Sequence, residues 1–68
     1  MRWTLQQRVR MRLIERGWTQ AELAAQVGIS QGHLSRILSG HARASESVAR
    51  ALESVTRIAA EEFSRSGT

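Results

Sequence analysis

The chain has 68 residues, ten of them arginine and six glutamate, and it lacks lysine, aspartate, cysteine and proline. A chain of this length makes one domain, and without cysteine it can be held neither by disulfides nor by thiolate-bound metal. Folding at this size buries only about 60% of the unfolded chain's surface, which leaves oligomerisation as the available reinforcement. No apolar run nears the ~20 residues of a membrane span. The opening residues, with Arg2, Thr4, Gln6, Gln7 and Arg8, also lack the apolar stretch of a signal peptide, so a cytoplasmic location with no membrane partner is expected.

Charge is unevenly placed. Residues 1–44 hold seven Arg (2, 8, 10, 12, 16, 36, 43) and two Glu (15, 22), a balance of +5, whereas residues 45–68 hold three Arg and four Glu, a balance of −1. With a pI near 11.6, the first two thirds suit a polyanionic partner, and arginine favours bidentate contact with phosphate or guanine. A merely solvated arginine-rich helix surface is the competing explanation of the charge alone.

Alanine, leucine, arginine, glutamine and glutamate fill the segments, so an all-α domain is expected. Gly17, Gly28 and Gly40 each follow an apolar-periodic stretch and mark helix ends. The first helix is expected from about Trp3 to Arg16, with Leu5, Val9 and Leu13 facing inward and Trp3 and Ile14 on the flank. Thr19 starts the second as N-cap, with Glu22 placed to complete a capping box and Trp18 to staple onto Leu23. Ser30 caps the third, which runs to Ser39. The fourth begins near Ser45, with Glu46 suiting its N-terminal dipole and Val48, Ala51, Leu52, Val55, Ala59 and Phe63 turned inward. Residues 64–68 form a frayed tail, giving one domain over residues 1–63.

Two short helices separated only by Gly28, Ile29 and Ser30 must turn sharply, and glycine can adopt the left-handed conformation that the turn needs. Ala24 and Gly28 keep the crossing small, and Leu23, Val27, Ile29, Leu34 and Ile37 supply its apolar contacts. On a helical projection of residues 31–39, Leu34, Ile37 and Leu38 share one side, while Gln31, Gly32, Ser35, Arg36 and Ser39 share the other. The second face is rich in donors. Gln31 can pair with adenine, Arg36 with guanine, and Ser35 with a base or a phosphate. Gly32, which costs about 1 kcal/mol of helix stability relative to alanine, would let backbone approach base edges. Two histidines eight apart, His33 and His41, do not make a metal site; no metal or cofactor is expected.

The stretch from Thr19 to Gln31, Thr-Gln-Ala-Glu-Leu-Ala-Ala-Gln-Val-Gly-Ile-Ser-Gln, continuing through Leu34-Ser35-Arg36-Ile37-Leu38-Ser39-Gly40, resembles the helix-turn-helix of the Cro and phage-repressor (XRE) family. The resemblance covers about residues 8–55, with the motif at 19–39. It implies a repressor-like domain of four helices, or five, whose second motif helix lies in the major groove of double-stranded DNA while the first crosses the backbone. It further implies that Gln20 bonds a phosphate and braces Gln31, and that Arg43 makes a basic phosphate contact. Thr19 stands beside Gln20 at the same helix start; Arg8, Arg12 and His41 are weaker phosphate candidates. The resemblance also implies a bacterial or phage-encoded protein held on the nucleoid by its DNA contacts.

The chain departs from the family in two places. Relatives often bury an arginine against a glutamate where this chain has Leu13 and Leu38, an exchange that is often neutral or stabilising because no charge is desolvated. Relatives also stop the fourth helix at a glycine, where this chain has Thr56; one continuous fourth helix over about 45–63 is therefore expected. Val55, Ile58 and Phe63 would then form a self-association surface, with folding back onto Leu5, Val9 and Trp3 as the competing arrangement. The function expected is a sequence-specific transcriptional regulator acting as a homodimer on a palindromic operator, repressor or activator undecided. The alternative is an antitoxin or anti-activator module that binds protein through the same fold, although only Ser64–Thr68 follow the last expected helix. Glu22 could contact RNA polymerase, but capping already explains it. Without aspartate, cysteine or a glycine-rich phosphate loop, an enzyme is not expected.

Overall fold

Four hydroxyl side chains open four helices. In the computed structural model, which describes residues 3–64, Thr4, Thr19, Ser30 and Ser45 hold extended backbone and accept a hydrogen bond from the amide three residues on. Each thereby satisfies a donor that a helix start leaves unpaired. They start α1 (Leu5–Arg16), α2 (Gln20–Val27), α3 (Gln31–Leu38) and α4 (Glu46–Thr56), and α5 (Ala60–Ser64) follows.

The first start lies two residues later than expected, because Thr4 and Gln7 form a reciprocal capping box at 2.8 and 3.1 Å that leaves Trp3 outside. At α2 the box is only half formed: the Thr19 hydroxyl accepts from the Glu22 amide and donates to the Glu22 carboxylate at 3.3 Å, so that carboxylate does not reach the backbone. Both α1 and α2 end in a left-handed glycine, Gly17 at φ 73° and Gly28 at φ 80°. The amides that follow, of Trp18 and Ile29, donate back to Leu13 and Ala24 in the Schellman pattern.

The core gathers one stripe from each helix. Val9 and Leu13 of α1, Leu23 and Ala24 of α2, Leu34, Ile37 and Leu38 of α3, Ala49 and Leu52 of α4, and Phe63 of α5 are all buried. Leu13 and Leu38 both lie in the interior, 3% and 4% exposed. Among the described residues no buried side-chain polar atom lacks a hydrogen-bond partner.

The continuous fourth helix is not what forms. Thr56, fully buried, donates its hydroxyl hydrogen to the Leu52 carbonyl at 2.7 Å, and the hydroxyl oxygen accepts from the Ile58 amide at 3.2 Å. This local competition with the helical ladder ends α4, and Arg57 then takes the left-handed conformation at φ 62°. A non-glycine residue pays about 1–2 kcal/mol there. The turn buries Ile58 and Phe63, 3% and 1% exposed, and full burial of two such side chains returns about 1.5–3 kcal/mol each. Burial wins over strain. Ile58 and Phe63 therefore do not form an exposed self-association surface; they complete the core of a single chain, while Val55 is half-buried beside them. The Ala44 amide donates to the Phe63 carbonyl at 3.0 Å and ties α5 to the loop before α4. Ser64 belongs to α5, not to a frayed tail, and residues 65–68 lie outside the described residues.

Candidate nucleic-acid interface

α3 divides into two faces along its length. Leu34, Ile37 and Leu38 are buried, whereas Gln31, Gly32, His33, Ser35, Arg36 and Ser39 are exposed. The side-chain hydrogen bonds at α3 belong to its caps: Ser30 receives the His33 amide, and the Ser39 hydroxyl donates to the Arg36 carbonyl at 3.2 Å and meets His41 Nδ1 at 2.8 Å. Gln31, Ser35 and Arg36 are left with no internal partner among the described residues. Ser39 and His41, in contrast, brace each other across the end of α3. The Gly32 Cα is bare toward solvent, with no atom within 4 Å of where a Cβ would stand.

α2 brings its start alongside. Gln20, half-buried, and Gln31 line one shallow groove of about 310 Å³ together with Arg10, Leu13, Ile14 and Trp18. The two side chains share this groove, and no hydrogen bond joins them among the described residues. The Thr19 hydroxyl is already engaged by Glu22. Arg43 is exposed in the loop between Gly40 and Ser45.

The arginines of α1 separate by task. Arg8 contacts Glu62 of α5 at 3.3 Å, and Arg12 contacts Glu15 at 3.4 Å; both line a different groove, with Trp3, Met11, Arg57 and Ile58. Arg16 donates to the Val55 carbonyl at 2.9 Å and lies over the Trp18 ring, 5.6 Å from its centroid. This satisfies a carbonyl that the last turn of α4 leaves open. Arg8 therefore sits away from the face that carries Gln20 and Gln31. Residue counting had no means of separating these arginines, since the contacts with Glu62 and Val55 join parts of the chain distant in sequence.

An exposed, donor-rich helix, preceded by a left-handed glycine turn and a second short helix, is the geometry that enters a DNA major groove. A family model described as helix-turn-helix matches residues 9–63. The chain belongs to the XRE-type helix-turn-helix family. The match runs through α5, beyond the residues that carried the resemblance in the sequence. Being an XRE-type domain, the chain is a DNA-binding transcription regulator in the general sense, and the family is not usually enzymatic. No curated protein and no solved structure matches the chain. No helix of the described residues is long and apolar enough to cross a membrane, and none of their His and Glu side chains cluster as a metal site.

Proposed function

We propose that this XRE-type domain is a sequence-specific regulator of transcription that binds double-stranded DNA as a homodimer on a palindromic operator, in the cytoplasm and without catalytic activity of its own. The observation that carries the proposal is the unpartnered polar face of α3. Gln31, Ser35 and Arg36 are exposed donors with no internal partner among the described residues, on a helix whose other face is locked into the core. Packing of the opposite face fixes the helix backbone, so binding has to order only the side-chain rotamers, at about 0.5–1.5 kcal/mol for each long side chain. Arg36 is assigned to guanine and Gln31 to adenine, with Ser35 beside them and Gly32 admitting the backbone. Gln20 and Arg43 are assigned to phosphates. Ser39 and His41 fix the end of α3, and Arg8 is left out of the interface.

The dimer follows from footprint. One recognition helix reads only a few base pairs, and two copies one helical turn apart, about 34 Å, read enough for specificity. Their contact does not use Ile58 or Phe63, which are interior; it involves the α4–α5 end, where Val55 is half-buried and Arg57 and Ala59 are exposed.

Selection of bound sequences from a random duplex pool tests both parts. The expected winners are inverted repeats with half-site centres about one turn apart; an asymmetric single site would overturn the homodimer, and no enrichment would overturn sequence-specific binding. Arg36→Ala should cost about 1–3 kcal/mol at the selected site and relax preference at one position per half-site. Equal weakening at every sequence would move Arg36 to the phosphate class.

A further inference from the structure

Among the described residues of α1, Arg10 is the arginine without a task. Arg8 and Arg12 stand against carboxylates, and Arg16 holds the Val55 carbonyl and the Trp18 ring. Arg10 is exposed and has no carboxylate within salt-bridge distance among the described residues. Its position is also distinct, about 160° around the helix from Arg8 at 100° per residue. There it shares a groove with Ile14, one turn on, and with Gln20 and Gln31 of the two motif helices. Ile14 is 73% exposed, although α1 already buries Val9 and Leu13. An isolated surface isoleucine would need no explanation; this one lies beside an unpaired guanidinium in the groove that the proposed DNA contacts line.

Resting on the reading of the domain as a binder of double-stranded DNA, we propose that the interface extends onto α1: Arg10 holds a backbone phosphate of the strand that passes Gln20, and Ile14 packs on the neighbouring deoxyribose. Both contacts are indifferent to sequence. Arg10 supplies charge where the neutral Gln20 cannot, and the apolar side chain covers the non-ionic part of the same strand.

Salt dependence tests this. Each phosphate neutralised contributes about 0.9 to the slope of log K against log salt. Arg10→Ala should therefore lower that slope by about 0.9 per bound protomer, so that its defect shrinks between 50 and 200 mM salt by about 3.5-fold for one bound protomer and about 12-fold for a bound dimer. The defect should be of similar size on a labelled mixed-sequence duplex and on the duplex enriched from the random pool. Arg10→Lys should restore the slope, since a point charge suffices. Ile14→Ala should weaken binding by about fivefold or less with the slope unchanged, because no counterion is released. Arg50→Ala removes the same charge from α4, where Arg50 pairs with Glu46 at 2.9 Å, and should leave the slope as it was. All of these side chains are exposed, so helical circular dichroism should be unaltered.

An Arg10→Ala slope equal to that of the unmodified chain would overturn the proposal while leaving the DNA-binding reading intact. So would a defect confined to the enriched duplex, which would make Arg10 a base reader. Failure of the unmodified chain to bind either duplex would overturn that reading and this proposal together.

Discussion

Gly32 sets helix propensity against approach to a surface. It stands at the second position of α3 with open space where a Cβ would lie, and its backbone is not left-handed. Alanine there meets no steric objection and removes the entropic cost of glycine, so Gly32→Ala should stabilise the domain by up to about 1 kcal/mol in urea unfolding. The same methyl would stand between the backbone and the bases, and affinity for the selected duplex should fall. A variant both more stable and equally tight would remove Gly32 from the interface. Gly28 obeys another rule: its surroundings are just as open, but φ of 80° makes any side chain there strained. Position in the sequence already separates the two glycines, Gly28 behind an apolar-periodic stretch and Gly32 on the polar side of the next helix, and the backbone conformation agrees, left-handed at Gly28 alone of the two.

At the level of elements, the end of α4 shows how one hydroxyl replaces a glycine. Thr56 donates to the Leu52 carbonyl and accepts from the Ile58 amide while fully buried, which turns the chain and lets Arg57 bear the left-handed conformation. Thr56→Val keeps the shape and loses both bonds. The Ile58 amide would then be buried without a partner, and a loss of about 1–3 kcal/mol in unfolding free energy is expected. A change below about 0.5 kcal/mol would mean that the turn is made by burial of Ile58 and Phe63 alone. The sequence pattern over residues 45–63 is compatible with one long helix because threonine and arginine are both tolerated inside helices. What breaks it is a pair of contacts between residues two and four apart, together with an apolar interior waiting for Ile58 and Phe63. Periodicity registers neither.

For the whole molecule, α5 is the element that closes the core. Phe63 is 1% exposed and its carbonyl holds the Ala44 amide, so a helix of five residues links the fourth helix to the loop after the third. Phe63→Ala should cost about 3–5 kcal/mol, a large part of the 5–15 kcal/mol that native proteins typically hold. Thermal unfolding should accordingly shift sharply downward or vanish. Had Phe63 lain on a dimer face, the variant would instead remain folded and dissociate, and sedimentation beside circular dichroism separates the two outcomes. The exposed ion pairs Arg12–Glu15 and Arg50–Glu46, with side chains 48–79% exposed, are of the kind that contributes little. Stability in this chain rests on its apolar stripes and caps.

Much of the fold and part of the site were legible in the residues themselves. Thr19, Ser30 and Ser45 announce helix starts because a short hydroxyl side chain bonds the amide three residues on, a contact internal to the segment. Gly17 and Gly28 announce ends for an equally local reason, and the alternation of Leu34, Ile37 and Leu38 with Gln31, Ser35 and Arg36 follows from helix pitch. These interactions span few residues, so the sequence by itself determined three of the helices closely, the motif at 19–39 and the polar face of α3. The tertiary structure decided what depends on distant parts meeting. It placed Ile58 and Phe63 in the interior, set Arg8 against Glu62 and Arg16 against Val55, and brought Arg10 and Ile14 beside Gln20 and Gln31. In each case the partner lies in another helix, and the free energy that selects the arrangement comes from surface removed from water when those helices pack.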